Sequence, residues 1–141
     1  MGISEEIKQK IKEEYTQWFD KQYANKTLEE RQKLGAFFTP PELTIKMLEK
    51  FSNINAPLVD PCAGSGNLLA AAIIAGADPK KIYYNEYDPE IFEIGKKRLM
   101  GLGVPEKNFV CSDALSEVFW DFLRNEGVIK KPKFIQRFGR I

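Results

Sequence analysis

Asp60-Pro-Cys-Ala-Gly-Ser-Gly66 is the stretch of sequence that decides the fold. Pro57 to Asp60 predicts a short buried strand before it, and the apolar run Leu68 to Ala75 predicts a helix after it. Gly64 and Gly66 allow a sharp turn between the two and a close approach of the backbone to a ligand. In open parallel sheets, ligands bind at such strand-to-helix turns.

Two further strand-and-helix units follow this turn. Lys81 to Glu86 and Asn108 to Ser112 predict the next strands, and Asp88-Pro89 predicts the start of the helix between them. A last helical stripe consists of Leu115, Val118, Phe119, Phe122 and Leu123. The alternation predicts an α/β fold with a parallel, Rossmann-like sheet and right-handed crossovers. Three strands are expected, and Phe134 to Phe138 would be a fourth.

Helices are predicted before the first strand as well. Ser4 suits the start of an amphipathic helix, and Thr27 to Glu30 forms a capping-box pattern for a second helix. Thr39 and Glu42 have the same spacing and predict a third helix capped by Thr39. We therefore expect a helical segment over residues 1–34, the α/β domain over 35–127, and a basic tail or added strand over 128–141.

The composition of the 141 residues excludes several classes of protein. The 21 basic and 20 acidic residues nearly balance, which gives no global electrostatic argument for nucleic-acid binding. The chain has no histidine, which excludes His-based catalytic triads and the common zinc sites, and its 2 cysteines predict neither disulfides nor a metal centre. No signal peptide or membrane-spanning run is visible, so a cytoplasmic location is expected.

Acidic residues follow each predicted strand, at Asp60, Glu86 and Asp113. A carboxylate at the end of the second strand can accept hydrogen bonds from ribose hydroxyls. Each feature alone also has a purely structural explanation. The glycine turn could be any tight loop, Glu86 could be an exposed strand end, and Asp113 could cap a helix. Their placement at three successive strand ends favours a nucleoside-bearing ligand. No third glycine stands three residues after Gly66, which disfavours NAD and FAD.

Four segments occur in an order that resembles a known family, over about Gly35 to Leu115. They are Gly35-Ala-Phe-Phe-Thr-Pro-Pro-Glu42, Asp60-Pro-Cys-Ala-Gly-Ser-Gly-Asn-Leu-Leu69, Asn85-Glu-Tyr-Asp-Pro89 and Ser112-Asp-Ala-Leu115. In this order they resemble the cofactor motifs of the N6-adenine DNA methyltransferases, especially the gamma-type and type I modification-subunit enzymes. The resemblance implies a class I methyltransferase fold, S-adenosylmethionine (SAM) or S-adenosylhomocysteine as cofactor, no metal, and a role in DNA methylation and restriction-modification.

The resemblance also implies roles for individual residues. Phe38, Thr39 and Pro40 would line the methionine and adenine ends of SAM, while Asp60, Pro61 and the Gly64-Ser65-Gly66 backbone would hold its amino-acid part. Glu86 would bind the ribose hydroxyls. Tyr87 would lie against the adenine ring, and Asp113 with Ala114 would face the adenine amino group. These roles agree with the chemistry of carboxylates as acceptors and of aromatic rings as faces for a base.

The family's catalytic motif, Asn or Asp followed by Pro-Pro and an aromatic residue, is not found after Asp113. No catalytic residue is therefore assigned, and the chain is expected to bind SAM without methylating DNA alone. A non-enzymatic module that binds or regulates a partner protein is the alternative. A small-molecule or protein methyltransferase with an unconventional acceptor site is a third.

Partners are suggested by the incomplete sheet and by the basic tail. The first strand is central in this fold, so its free edge predicts that either Phe134 to Phe138 or another chain pairs with it, and we expect self-association or a partner subunit. The tail carries Lys130, Lys131, Lys133, Arg137 and Arg140 with two phenylalanines between them. Such a segment could contact DNA phosphates, but a solubilising tail is the more ordinary interpretation for a chain of balanced charge.

Overall fold

A parallel sheet lies at the centre of the fold in the computed structural model, which describes residues 2–36, 38–51 and 53–130. Within these ranges, three α-helices precede the sheet and one α-helix follows each strand. In chain order the elements are α1 (Glu5–Gln22), α2 (Leu28–Ala36), α3 (Pro41–Glu49), β1 (Leu58–Asp60), α4 (Asn67–Ile74), β2 (Ile82–Glu86), α5 (Pro89–Gly101), β3 (Phe109–Cys111) and α6 (Val118–Asn125).

The described strands have the order β1-β2-β3, and both pairs are parallel. Leu58 pairs with Ile82 in the first ladder, and Tyr84 pairs with Phe109 in the second. Because the strands are parallel, their carboxyl ends meet at one edge of the sheet, where the three predicted loops begin. The predicted α/β class and its three parallel strands are confirmed. The predicted fourth strand, Phe134 to Phe138, and the tail from residue 131 lie outside the described residues.

The starts of the N-terminal helices follow local side-chain chemistry. Ser4 Oγ accepts from the backbone N–H of Ile7 at 3.2 Å, which caps α1. At α2 the predicted capping box is present, because Thr27 Oγ1 accepts from the Glu30 N–H at 3.1 Å. In return, Glu30 Oε1 accepts from the Thr27 N–H at 3.3 Å. Both predicted helix starts are confirmed.

The predicted capping box of α3 is wrong. This helix starts at Pro41 and has Pro40, in an extended conformation, as its N-cap, without a side-chain capping bond. A residue that precedes proline is disfavoured in the α region, so Pro40 cannot begin the helix. Thr39 therefore lies outside the helix, and its carbonyl accepts from Asn67 Nδ2 at 2.7 Å instead.

The buried core joins α1 to the sheet. Helix α1 packs on α3 and α4, and the core cluster includes Ile3 and Ile11 from the N-terminal part with Leu48, Ile82 and Leu99. The free energy gained by burying these apolar side chains thus depends on α1 as well as on the strands. No helix in the described part of the chain is long and apolar enough to cross a membrane.

The last helix is shorter than the apolar stripe predicted for it. α6 begins at Val118, and Leu115 lies in the preceding turn with 95% of its surface exposed. Asp113 Oδ1 accepts from the Leu115 N–H at 2.9 Å, and this turn delays the start of the helix. The predicted helical stripe is therefore wrong for Leu115, which precedes the helix. Within α6, Phe119 and Leu123 are fully buried, whereas Val118 is exposed.

Candidate ligand site at the carboxyl ends of the strands

The loop between β1 and α4 needs glycine at two positions. Gly64 has φ +57° and Gly66 has φ +84°. Both values lie in the left-handed region of backbone conformation, which residues other than glycine rarely adopt. A Cβ atom at Gly66 would also lie 3.0 Å from Leu99 Cδ1. The two glycines therefore allow the loop to turn sharply while Gly66 lies close against Leu99 of α5.

This loop forms one wall of a cavity of about 260 Å³ at the carboxyl end of β1. Five predicted residues line the cavity: Phe38, Thr39, Asp60, Gly64 and Ser65. The lining also includes five residues to which no role was assigned: Met47, Cys62, Ala63, Asn67 and Leu68. The segment before α3 and the glycine-rich loop, which are distant in sequence, thus meet across one cavity.

Asp60 is a half-buried carboxylate in this cavity, and its Oδ1 accepts from the Cys62 N–H at 3.1 Å. Burial raises the pKa of Asp60, the Cys62 hydrogen bond opposes that shift, and the negative charge of Glu86 adds to it. The raised pKa means that the ionised carboxylate lacks stabilisation in the protein alone. A positively charged ligand group beside Asp60 would supply it.

Glu86 does not line the cavity but is fixed directly to its wall. Its Oε1 accepts from the Gly64 N–H at 2.9 Å, and its Oε2 accepts from the Asp88 N–H at 2.9 Å. Each carboxylate oxygen has a second lone pair, so both retain the capacity to accept from a ligand hydroxyl. The carboxylate is thereby held in one orientation at the end of β2.

Two residues of β2 to which no role was assigned from the sequence form hydrogen bonds to the loops at the carboxyl ends of the strands. Tyr84 is fully buried and its hydroxyl donates to the Gly64 carbonyl at 2.6 Å; burial raises its pKa, so it remains a donor. Asn85 Nδ2 donates to the Pro61 and Ser112 carbonyls at 2.9 Å each. A polar residue inside a buried strand, directly before Glu86, was the available signal for Asn85.

Phe38 is held at the cavity by aromatic side chains of α1 and of Tyr23, the residue that follows it. Its ring packs edge-on against Trp18 with centroids 6.1 Å apart, and stacks on Tyr23 at 6.2 Å. Such pairs prefer edge-to-face or offset arrangements. Pro40, by contrast, is exposed and does not line the cavity.

The other predicted residues lie on the loops after β2 and β3. Tyr87 is 71% exposed, and Asp113 is exposed and fixes its own turn. The Ala114 carbonyl accepts from Trp120 Nε1 at 2.8 Å. These three residues follow neighbouring parallel strands at the same edge of the sheet but do not line the cavity. In the described ranges, no group of three His, Cys, Asp or Glu side chains is placed to hold a metal ion.

The parallel strands, the glycine-rich loop and the acidic strand ends define a Rossmann-like α/β domain of the methyltransferase type. The chain matches the N-6 DNA Methylase family over residues 11–134, and it belongs to that family. It is 36% identical over 89 residues to the Type II methyltransferase M.VspI of Vibrio sp. (strain 343). That match covers 61% of this chain, which spans 22% of the length of this curated relative. No solved structure matches the chain.

Proposed function

We propose that the chain is the SAM-binding part of an adenine-specific DNA methyltransferase. The observation that carries the proposal is the meeting of Phe38, Thr39, Asp60, Gly64 and Ser65 around one cavity. A glycine-rich turn and two carboxylates at the ends of parallel strands suit a nucleoside-bearing ligand. Membership of the N-6 DNA Methylase family supports the choice of SAM.

The size and chemistry of the cavity suit one end of SAM. Its volume of about 260 Å³ lies below the roughly 300 to 1,000 Å³ of whole small-molecule sites, so part of the ligand would extend beyond it. The amino-acid end would lie in the cavity, where its ammonium group would face Asp60. The ribose would then reach Glu86, and adenine would lie over Tyr87 near Asp113 and Ala114.

When bound, SAM supplies a methyl group that is already activated on its sulfonium. The residues assigned above bind and orient the ligand, and they give no reason to expect acid-base chemistry. Because methyl transfer needs a nucleophile in line with the methyl group, the acceptor must be positioned by other groups. We propose the N6 amine of adenine in DNA as that acceptor, on the basis of the family alone. We expect SAM binding by this chain without methyl transfer.

Isothermal titration calorimetry of the 141-residue chain with SAM tests the proposal, with S-adenosylhomocysteine and NAD as comparison ligands. We expect the two adenosyl compounds to bind and NAD not to bind. Absence of heat with SAM at high micromolar concentration would overturn the proposal and favour a non-enzymatic module that binds a partner protein. Transfer of tritiated methyl groups to adenine-containing DNA would contradict the expectation that the chain binds without catalysis.

The hypothesis of a small-molecule or protein acceptor predicts methyl transfer to a different substrate than the hypothesis of an adenine acceptor does. Methyl transfer to a peptide or metabolite mixture, with none to DNA, would replace adenine as the acceptor but keep SAM as the ligand. The calorimetric and transfer experiments together therefore separate the cofactor from the acceptor.

We also propose that the free edge of β1 is covered by a second copy of the chain or by a partner subunit. Among the described residues, β1 pairs with β2 alone. The faces of parallel sheets are normally covered. An edge strand with unpaired backbone N–H and C=O groups is a template for pairing with another chain. Sedimentation velocity should show species heavier than the 16.2 kDa monomer. A monomer at all concentrations would exclude self-association, and co-purification with a subunit would then be required.

A further inference from the structure

A buried cationic junction connects α1 to both walls of the cavity. Arg98 of α5 is its centre, and only 3% of the Arg98 side chain is exposed. The guanidinium lies over the Trp18 ring, 4.1 Å from its centroid, and forms an ion pair with Glu14. Arg98 Nε donates to Glu14 Oε2 at 3.0 Å, and Nη2 donates to Glu14 Oε1. Helix α1 therefore supplies both an aromatic face and a carboxylate to Arg98.

The remaining donor of Arg98 points to the glycine-rich loop. Nη1 donates to the Ser65 carbonyl at 3.2 Å and to Asn67 Oδ1. Ser65 and Asn67 both line the cavity, whereas Arg98 and Glu14 do not. The loop conformation around Ser65 is thus tied to a charge that lies behind it.

Arg98 also fixes the orientation of the Asn67 amide. A guanidinium only donates hydrogen bonds, so Asn67 must turn its oxygen to Arg98. Its NH2 group then faces the opposite wall, where it donates to the Thr39 carbonyl at 2.7 Å. One chain of hydrogen bonds therefore runs from Glu14 through Arg98 and Asn67 to Thr39, across the two walls of the cavity.

We propose that Arg98 is a positioning residue for the cavity, and that Glu14 on α1 sets the position of Arg98. The two walls keep their spacing only while the guanidinium is held by Glu14. Helix α1 is then part of the ligand-binding device as well as part of the core. This inference rests on the proposed function, because it assigns the positioned ligand as SAM.

If Arg98 and Glu14 only stabilised the fold, their replacement would change stability but not the loop or the ligand affinity of folded protein. Loss of one partner from a buried ion pair costs stability wherever the pair lies. Only a positioning role also changes the loop and the ligand affinity in protein that is still folded. Asp20 provides a control on the same helix, because its Oδ1 accepts from Arg31 Nη1 at 2.8 Å in a more exposed ion pair and neither residue lines the cavity.

The experiment compares Glu14→Gln and Arg98→Lys with Asp20→Asn and wild type, at a temperature where circular dichroism shows each protein to be folded. SAM affinity is measured by calorimetry, and the backbone amide resonances of Ser65, Gly66 and Asn67 are measured without ligand. We expect Glu14→Gln and Arg98→Lys to weaken SAM binding roughly tenfold and to shift these resonances. Asp20→Asn should do neither.

Unchanged loop resonances and unchanged affinity in folded Glu14→Gln and Arg98→Lys would overturn the positioning role. If one of these variants does not fold, the other decides, and Glu14→Asp serves as a further variant that keeps the charge but shortens the reach. Failure of wild type to bind SAM would overturn the proposed function instead. The ligand-free resonances would still show whether Glu14 and Arg98 position the loop.

Discussion

Glu86 Oε1 accepts a hydrogen bond of 2.9 Å from the backbone N–H of Gly64, so the end of β2 holds the glycine-rich loop that follows β1. The same carboxylate accepts from the Asp88 N–H through Oε2, which connects it to the start of α5. One side chain thus joins two loops at the carboxyl edge of the sheet. Any ligand that bridges these loops meets a carboxylate whose orientation is already fixed.

Replacement of Glu86 should weaken SAM binding in two steps. Glu86→Gln keeps an oxygen for Gly64 but offers a poorer acceptor to ribose hydroxyls, whereas Glu86→Ala removes both functions. Hydrogen bonds to charged groups contribute about 1.5 to 3 kcal/mol, so we expect Glu86→Ala to weaken binding roughly 10- to 100-fold. Glu86→Gln should lie between it and wild type. Calorimetry with SAM measures both, and equal affinities in all three proteins would contradict the assigned pose.

Asp60→Asn should make the protein more stable while weakening SAM binding. Burial raises the pKa of Asp60, so the folded state holds this proton more tightly than the unfolded state does. Stability is therefore lost as pH rises from the ordinary aspartate value, about 3.9, through the raised folded value. We expect a higher urea midpoint for Asp60→Asn at pH 7, and a smaller difference from wild type as pH falls towards 4. A difference independent of pH would show that ionisation of Asp60 is not its cause.

The local features of this fold could be predicted from the sequence, because they depend on short-range patterns. Alternating apolar segments gave the three strands, and the Thr27 capping box lies within four residues. Five residues that line the cavity lie in two of the segments, 35–42 and 60–69, on which the family resemblance was based. Two helix starts were exceptions: consecutive prolines moved the start of α3 past Thr39, and the turn at Asp113 moved the start of α6 past Leu115.

The residues behind the cavity could not be predicted, because their contacts are long-range. Glu14 and Arg98 are 84 positions apart, and each also suits the solvated face of an amphipathic helix. Only the packing of α1 on the α/β domain brings them together. From the sequence, Gly95 is only a residue of low helix propensity inside α5. The structure shows that a side chain there would collide with the Tyr84 hydroxyl.

Gly95→Ala should destabilise the protein, although alanine is the better helix former. A Cβ atom at Gly95 would lie 2.3 Å from the Tyr84 hydroxyl and 2.7 Å from the Gly64 carbonyl, which are hydrogen-bonded to each other. Overpacking of this kind costs about 1 to 3 kcal/mol. Gly101→Ala in the same helix is the matched control, since nothing lies within 4 Å of the added atom. Urea denaturation should show a loss for Gly95→Ala and no loss for Gly101→Ala; equal effects would contradict the close packing of α5 on the loop.

Two buried asparagines bond to backbone carbonyls near opposite ends of β2, and their replacement can separate an effect on stability from an effect on binding. Asn85 lies in β2, and Asn108 lies directly before β3. Asn85 donates to the Pro61 and Ser112 carbonyls at the carboxyl ends of the strands. Asn108 donates to the Lys80 and Ile82 carbonyls at the amino end of β2. These hydrogen bonds are buried or partly buried, and a fully buried group left without its partner costs about 1 to 3 kcal/mol, so both Asn85→Ala and Asn108→Ala should lower the free energy of unfolding.

Only Asn85→Ala should also weaken SAM binding, because it alone releases the loops that carry Pro61 and Asp113. We expect roughly a tenfold loss of affinity for Asn85→Ala and a change within about twofold for Asn108→Ala, measured by calorimetry at a temperature where both are folded. If both variants lost affinity in proportion to their stability, binding would report global folding. Loss confined to Asn85→Ala would instead place the ligand at the carboxyl ends of the strands, against the loops that this one amide holds together.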